Sequence, residues 1–193
     1  MARVAVVTGG TRGIGEAISL ALKEQGRTVI ANYAGNDERA REFQERTGIA
    51  VMKWDVGDHE ACQEGCAKVA EEHGPVDIVV NNAGITRDGT LHRMDFEQWN
   101  AVLQTNLSSC YNMCRNVIDG MRERGFGRIV NITSSAVKAP IDVLGLSNGA
   151  RSGLTGFVAG TARQSSLASR NVTINNNTNN NHNTNTDRNN DSN

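Results

Sequence analysis

Two stretches of the chain carry residues whose types and spacing could do chemistry. The first is TGGTRGIG (8–15), which follows an apolar run and opens an amphipathic one. Gly9 permits a tight turn, Gly13 lets backbone approach a ligand, and Gly15 lets a helix and a strand pack closely. A helix start at this point offers unpaired N–H groups and positive dipole to a pyrophosphate. The second stretch is GLSNGARSG (145–153), a small-residue turn that opens an apolar helical run. It places Ser147 and Arg151 four residues apart, with no tyrosine or lysine nearby. A serine hydroxyl is a weak acid and arginine stays charged at any working pH, so neither readily gives up a proton.

The elements that must position these residues follow from periodicity. Short β-like runs are 4–7, 28–33, 49–56, 76–80 and 128–132, and the intervening stretches 14–25, 37–46, 58–72 and 95–124 have helical period, the last broken near Asn106. Nearly continuous apolar strands alternating with amphipathic helices predict an α/β fold, a Rossmann-like doubly wound parallel sheet in a single domain. Such a sheet binds ligands beyond the carboxyl ends of its strands. The second strand ends Ala31-Asn32-Tyr33 without an acid, and Arg12 lies inside the glycine loop. A 2′-phosphate needs that balance, so NADP(H) is the predicted cofactor. Asp37 and Glu38 read as first-turn helix residues.

Composition narrows the function classes. The formal net charge is −1 over 193 residues, with acids and bases interspersed, so no nucleic acid and no anionic membrane is expected as a partner. No apolar stretch approaches a membrane span, and a cytoplasmic location is expected. Cys62, Cys66, Cys110 and Cys114 form two i,i+4 pairs on predicted helices, which suits packed helix faces, and no metal site is expected. His59, His73 and His92 read as solvated side chains. The sequence after 174 has no apolar residue, so we divide the chain into a dinucleotide-binding domain, 1–174, and an Asn-rich disordered tail, 175–193. NVTIN (171–175) reads as a sixth strand.

Five motifs in order resemble those of the short-chain dehydrogenase/reductase family. They are Thr8-Gly9-x-x-x-Gly13-Ile14-Gly15, Asp55-Val56 after the third strand, Asn81-Asn82-Ala83-Gly84 after the fourth, Asn106 in TNLSS, and Ser134 after RIVNIT. Residues 1–132, through NNAGITRD (81–88) and VIDGMRERGFGRIVNI (117–132), resemble the family's bacterial NADPH-dependent acetoacetyl-CoA reductase and 3-oxoacyl-carrier-protein reductase branch. Residues 133–175 resemble a divergent branch of the family.

The resemblance implies NADPH-dependent reduction of a 3-oxoacyl thioester, a small-molecule substrate. It assigns Gly9, Arg12, Gly13, Ile14, Gly15, Asp55, Val56, Asn82, Ala83, Gly84 and Arg151 to the cofactor. Ser134 would hydrogen-bond the substrate carbonyl, and Asn106 would hold a water and the helix geometry. The family places a tyrosine thirteen residues after that serine and a lysine four further on. Here those positions hold Ser147 and Arg151. The implied enzyme therefore has impaired or altered proton donation, and a non-catalytic NADP(H)-binding protein is the alternative. Arg151 would keep the ribose contact and stabilise developing alkoxide charge. Tyr33 is expected beside the adenosine, Tyr111 on a packed helix, and Lys138 as a solvated loop charge, with reach to the substrate oxygen the alternative. Relative to the family the chain is expected to be C-terminally truncated, which weakens the homo-oligomer the family forms.

Overall fold

A computed structural model describes residues 2–168 and 172–177. Six parallel strands make one sheet: β1 (Val4–Val7), β2 (Thr28–Tyr33), β3 (Ala50–Lys53), β4 (Val76–Asn81), β5 (Gly127–Ile132) and β6 (Val172–Asn177), in the order β3-β2-β1-β4-β5-β6. The crossovers are α1 (Gly13–Glu24), α2 (Asp37–Thr47), α3 (His59–His73), α4 (Phe96–Leu103) with α5 (Ser109–Glu123), and α6 (Gly145–Ala168). The order reverses between β1 and β4, which is where such sheets open a crevice.

β1 shows why the strands read as unbroken apolar runs. Val4 and Val6 pack into the core under α3, α5 and α6, with Ile30, Val79, Ile129, Met113 and Leu154. Ala5 and Val7 point to the other face, where Phe43 and Ile49 close the core with Val29 and Val80. Each fully buried side chain of this kind contributes roughly 1.5–3 kcal/mol. All four cysteines lie on α3 and α5, three buried and Cys114 half-buried. Burial pushes their thiols up, to about 12 for Cys62 and Cys114 and about 11 for Cys66 and Cys110. Among the described residues no cluster of His, Cys, Asp and Glu could hold a metal, and no helix is long and apolar enough to cross a membrane.

Helix ends follow the sequence closely. Asn36, Asp58 and Asp95 cap α2, α3 and α4 through their side chains, and Gly48 ends α2 in the left-handed conformation. Asp37 and Glu38 do lie in the first turn of α2.

Four boundaries differ from expectation. The stretch around Asn106 is not a break: α4 runs into α5 through a π-helical turn, Gln104–Ser108, which keeps the helix continuous while rotating Asn106 inward. β3 ends at Lys53; Trp54 still donates its N–H to the Tyr33 carbonyl at 3.0 Å, and its ring packs against Gly65 of α3. GLSNGARSG is helical from Gly145 onward rather than a turn. β6 pairs with β5 as far as Asn177, so backbone hydrogen bonding carries three asparagines past residue 174. The remainder of the expected tail lies outside the described residues.

Candidate active site

The turn after β1 is built by glycine geometry. Gly9 and Gly13 have φ of +61° and +53°, a region side chains rarely adopt. A Cβ on Gly15 would lie 2.1 Å from the Gly9 carbonyl oxygen and 2.6 Å from Asn82 Nδ2, so only glycine fits. Thr8 ties this turn to β4: its Oγ1 accepts the N–H groups of Asn82 (2.9 Å) and Ala83 (3.0 Å) and donates to the Val80 carbonyl (3.3 Å). Asn82 Nδ2 donates back to the Thr8 carbonyl at 2.9 Å. The carboxyl ends of β1 and β4 are thereby welded at the switch point. Arg12, extended, is the N-cap of α1, and its side chain makes no capping hydrogen bond to that helix start. A Cβ on Gly13 would meet nothing within 4 Å, so the space before it is open.

Two adjoining clefts occupy this edge. One, of about 420 Å³, is lined by Tyr33, Asp55, Val56 and Thr105 among others, and one, of about 480 Å³, by Gly13, Ile14, Gly15 and Asn82. Gly9, Arg12, Arg39, Ala83 and Gly84 line both. Arg12 and Arg39 pair with no carboxylate among the described residues, whereas the nearby acid Asp37 is already engaged. Lys53 donates to it at 2.9 Å, and that bond, then one from Tyr33, holds its carboxyl below the usual range. Burial, then the bond to Asp37, pushes the Tyr33 phenol up. Asp55 accepts the Gly57 N–H at 2.8 Å and shapes the turn. A cleft with two unpaired guanidinium groups at one end suits a polyanion. Arg39 was not singled out from the sequence, where it reads as one more polar residue of an amphipathic helix.

Across Gly84 the wall changes character. Asn106, 2% exposed, pairs twice with the backbone of Ile85: its Nδ2 donates to the carbonyl at 2.9 Å and its Oδ1 accepts the N–H at 2.8 Å. Both ends of its amide are thus used to pin the loop after β4. The Arg151 guanidinium lies against Gly84, where a Cβ would sit 2.6 Å from Nη2 and 3.2 Å from Asn106 Oδ1. Its Nη1 donates to the Ile132 carbonyl at 2.9 Å, and burial lowers its pKa. No carboxylate pairs with Arg151 among the described residues.

Ser134 Oγ accepts the Ala136 N–H at 3.2 Å, capping the short 3₁₀ turn Ser135–Val137. Ser147 Oγ donates to Asp88 Oδ2 at 2.5 Å, while the Ser147 N–H goes to Asp88 Oδ1 at 3.0 Å. Gly84, Asn106 and Arg151 therefore converge, whereas Ser147 is turned to a partner that no sequence pattern marked. No hydrogen bond joins Ser134 to Ser147 or Arg151 among the described residues. Tyr33 lines the first cleft. Tyr111 does lie on the packed helix α5, on its solvent side: it is 50% exposed and stacks on His59 with ring centroids 6.1 Å apart. Lys138 is exposed.

This combination, a doubly wound parallel sheet with an uncapped glycine-built helix start at its switch point, defines a nucleotide-binding α/β enzyme scaffold. The family model described as short chain dehydrogenase matches residues 3–193, and the chain belongs to that family. An acetoacetyl-CoA reductase of Shinella zoogloeoides is 51% identical over 177 residues, 91% of this chain and 72% of the relative. A 3-oxoacyl-[acyl-carrier-protein] reductase of Vibrio harveyi is 39% identical over 90% of this chain and 70% of its own length. Among solved structures, a tryptophan variant of actinorhodin polyketide ketoreductase with NADPH superposes with a TM-score of 0.85, at 31% identity, over 91% of this chain and 69% of that one.

Proposed function

We propose that the protein is an NADPH-dependent reductase of a 3-oxoacyl thioester, acetoacetyl-CoA-like, with altered proton donation. The observation that carries this reading is the continuous pair of clefts running from Arg12 and Arg39, past the open start of α1, to Gly84 and Arg151. The names of the relatives support the acyl thioester. The ketoreductase solved with NADPH supports the nucleotide. Residues 1–174 would serve as the nucleotide-binding domain and 175–193 as its tail, whose first three residues add to β6.

In this reading Arg12 and Arg39 receive the 2′-phosphate, and the N–H groups of Gly13, Ile14 and Gly15 receive the pyrophosphate. Asp55 and Val56 border the adenine, and Asn82, Ala83 and Gly84 line the path to the nicotinamide. The nucleotide supplies a hydride when bound. Arg151 reaches over Gly84 to the ribose and offsets negative charge on the substrate oxygen. Its partial burial strengthens that effect, since the local dielectric is lower than water. Ser134 offers its hydroxyl to the substrate, Ser147 an oxygen whose proton Asp88 holds, and Asn106 holds the loop that carries Gly84 and Ile85.

One observation favours a second reading, a non-catalytic NADP(H)-binding protein. The side chains at the family's tyrosine and lysine positions are already engaged, Ser147 by Asp88 and Arg151 by the Ile132 carbonyl. The double variant Ser147→Tyr/Arg151→Lys separates the two, assayed by NADPH oxidation with acetoacetyl-CoA. A rise of about 10²–10⁴-fold from a measurable rate is the result expected for an enzyme short of a general acid. A protein that binds NADPH but turns over only as the double variant fits the second reading.

A further inference from the structure

A serine hydroxyl has one proton to give and two lone pairs to accept with. In Ser147 that proton is committed to Asp88. Asp88 lies in the loop after β4, 59 positions earlier, and its carboxylate closes the start of α6 by taking the Ser147 N–H as well. An anion is favoured there by the free N–H groups and dipole of the helix. With its proton held by a carboxylate, Ser147 Oγ can only accept from an incoming group, and an ionised Asp88 can only take a proton.

We propose that Asp88 and Ser147 form a proton-accepting pair for a substrate alcohol, with Asp88 a positioning residue that acts through Ser147. Chain neighbours of the pair border two clefts. One turn along α6, Arg151 packs against Gly84 of the nucleotide crevice. On the other side, Gly89 and Gly145 line an apolar cleft of about 460 Å³ with Leu91, Met94, Trp99 and Val143. Leu91 is 84% exposed and Val143 60%, open apolar surface beside a polar pair. The arrangement suits a secondary alcohol with an apolar tail.

The step balances as follows. The alcohol carbon loses its hydride to an oxidised nicotinamide nucleotide as its O–H bond breaks. That proton goes to Ser147 Oγ, and the serine's own proton passes to Asp88, leaving a ketone and a neutral carboxyl. The reverse, ketone reduction, needs Asp88 protonated beforehand. The charged or titratable groups on the surrounding segments are Arg87, His92, Arg93 and Asp95 on the loop side, Lys138 and Asp142 before α6, and Arg151 within it; none forms an ion pair with Asp88 among the described residues.

This inference rests on the nucleotide-dependent reading above, so nucleotide affinity is measured first. Asp88→Asn keeps an oxygen for the Ser147 N–H yet cannot take a proton. Ser147→Ala keeps the Asp88 cap on the backbone, and serves if the first variant fails to fold. Wild-type protein should oxidise a 3-hydroxybutyryl thioester with NADP⁺. Both variants should lose about 10²–10⁴-fold of that rate, with nucleotide affinity unchanged. A second readout needs no turnover: with NADPH present, the same alcohol should bind wild type about tenfold tighter than either variant at neutral pH. Wild-type rates and alcohol affinities in the variants overturn the proposal, as does a nucleotide-binding wild type that oxidises no alcohol. Absence of nucleotide binding in wild type overturns the underlying reading and this inference together.

Discussion

α1 and α6 both begin at the carboxyl edge of the same sheet, and they are closed in opposite ways. No side chain caps α1, and the space before Gly13 is open. α6 is closed by the chain's own carboxylate, Asp88, reaching from a distant loop. Two helix starts with the same unsatisfied N–H groups and the same dipole can thus be reserved for a ligand or satisfied internally. What decides is whether a neighbouring loop brings an anion of its own. Glycines at 9, 13 and 15 keep the first start clear, whereas the β4 loop, pinned by Asn106, delivers Asp88 to the second.

The most disruptive way to break this contrast is Gly15→Val. The added carbon atoms meet the Gly9 carbonyl and Asn82 with no flexible end to yield. We expect about 1–3 kcal/mol of destabilisation from overpacking and about 100-fold weaker nucleotide binding, measured by thermal unfolding and NADPH titration. Arg12→Asp sharpens the comparison by giving α1 the kind of closure α6 has. An acid at this extended N-cap position should stabilise the fold by about 1 kcal/mol while NADPH affinity drops by at least about tenfold. Stability and binding moving in opposite directions is the informative outcome. Parallel losses would show that α1 does not discriminate between internal and external anions.

Asn106→Ala tests the pin on the other side. It leaves the Ile85 N–H and carbonyl without their partners. A loss of about 1–3 kcal/mol should appear in denaturant unfolding.

The smallest effect concerns the sheet's far layer. The four cysteine thiols are raised from 9.0 to about 11–12, chiefly by burial. A group whose pKa is higher in the folded state adds stability that is complete below about 9 and lost as pH climbs toward 12. Native protein at pH 8 should therefore resist a thiol-specific chromogenic reagent and react only on unfolding. Rapid reaction of all four thiols without unfolding would contradict this packing.

The contrast also marks what sequence could and could not reveal. Strand positions and the glycine turn were legible because they rest on local patterns: apolar runs of four to six residues, and glycines at spacing only a strand–turn–helix uses. Cysteines on packed helix faces were legible for the same reason. Arg39 was not, because its place in the cleft depends on how α2 lies against β2, while in sequence it is one charge among several. Asp88 was invisible as a partner of Ser147, since a contact across 59 positions leaves no periodic trace. The π turn at Asn106 looked like a break because inserting one residue into a helix shifts the apolar phase without ending the hydrogen bonding. The excursion of β6 into the asparagine tract is a backbone effect, which side-chain polarity does not report.

The central claim is that the open start of α1, with Arg12 and Arg39 beside it, grips a phosphorylated nicotinamide nucleotide. It is tested most directly by titrating the protein with NADPH and with NADH in parallel, following nicotinamide fluorescence. NADPH should bind at least about tenfold more tightly, and Arg39→Ala should erase most of that preference. Equal affinities, or no signal from either nucleotide, would contradict the account.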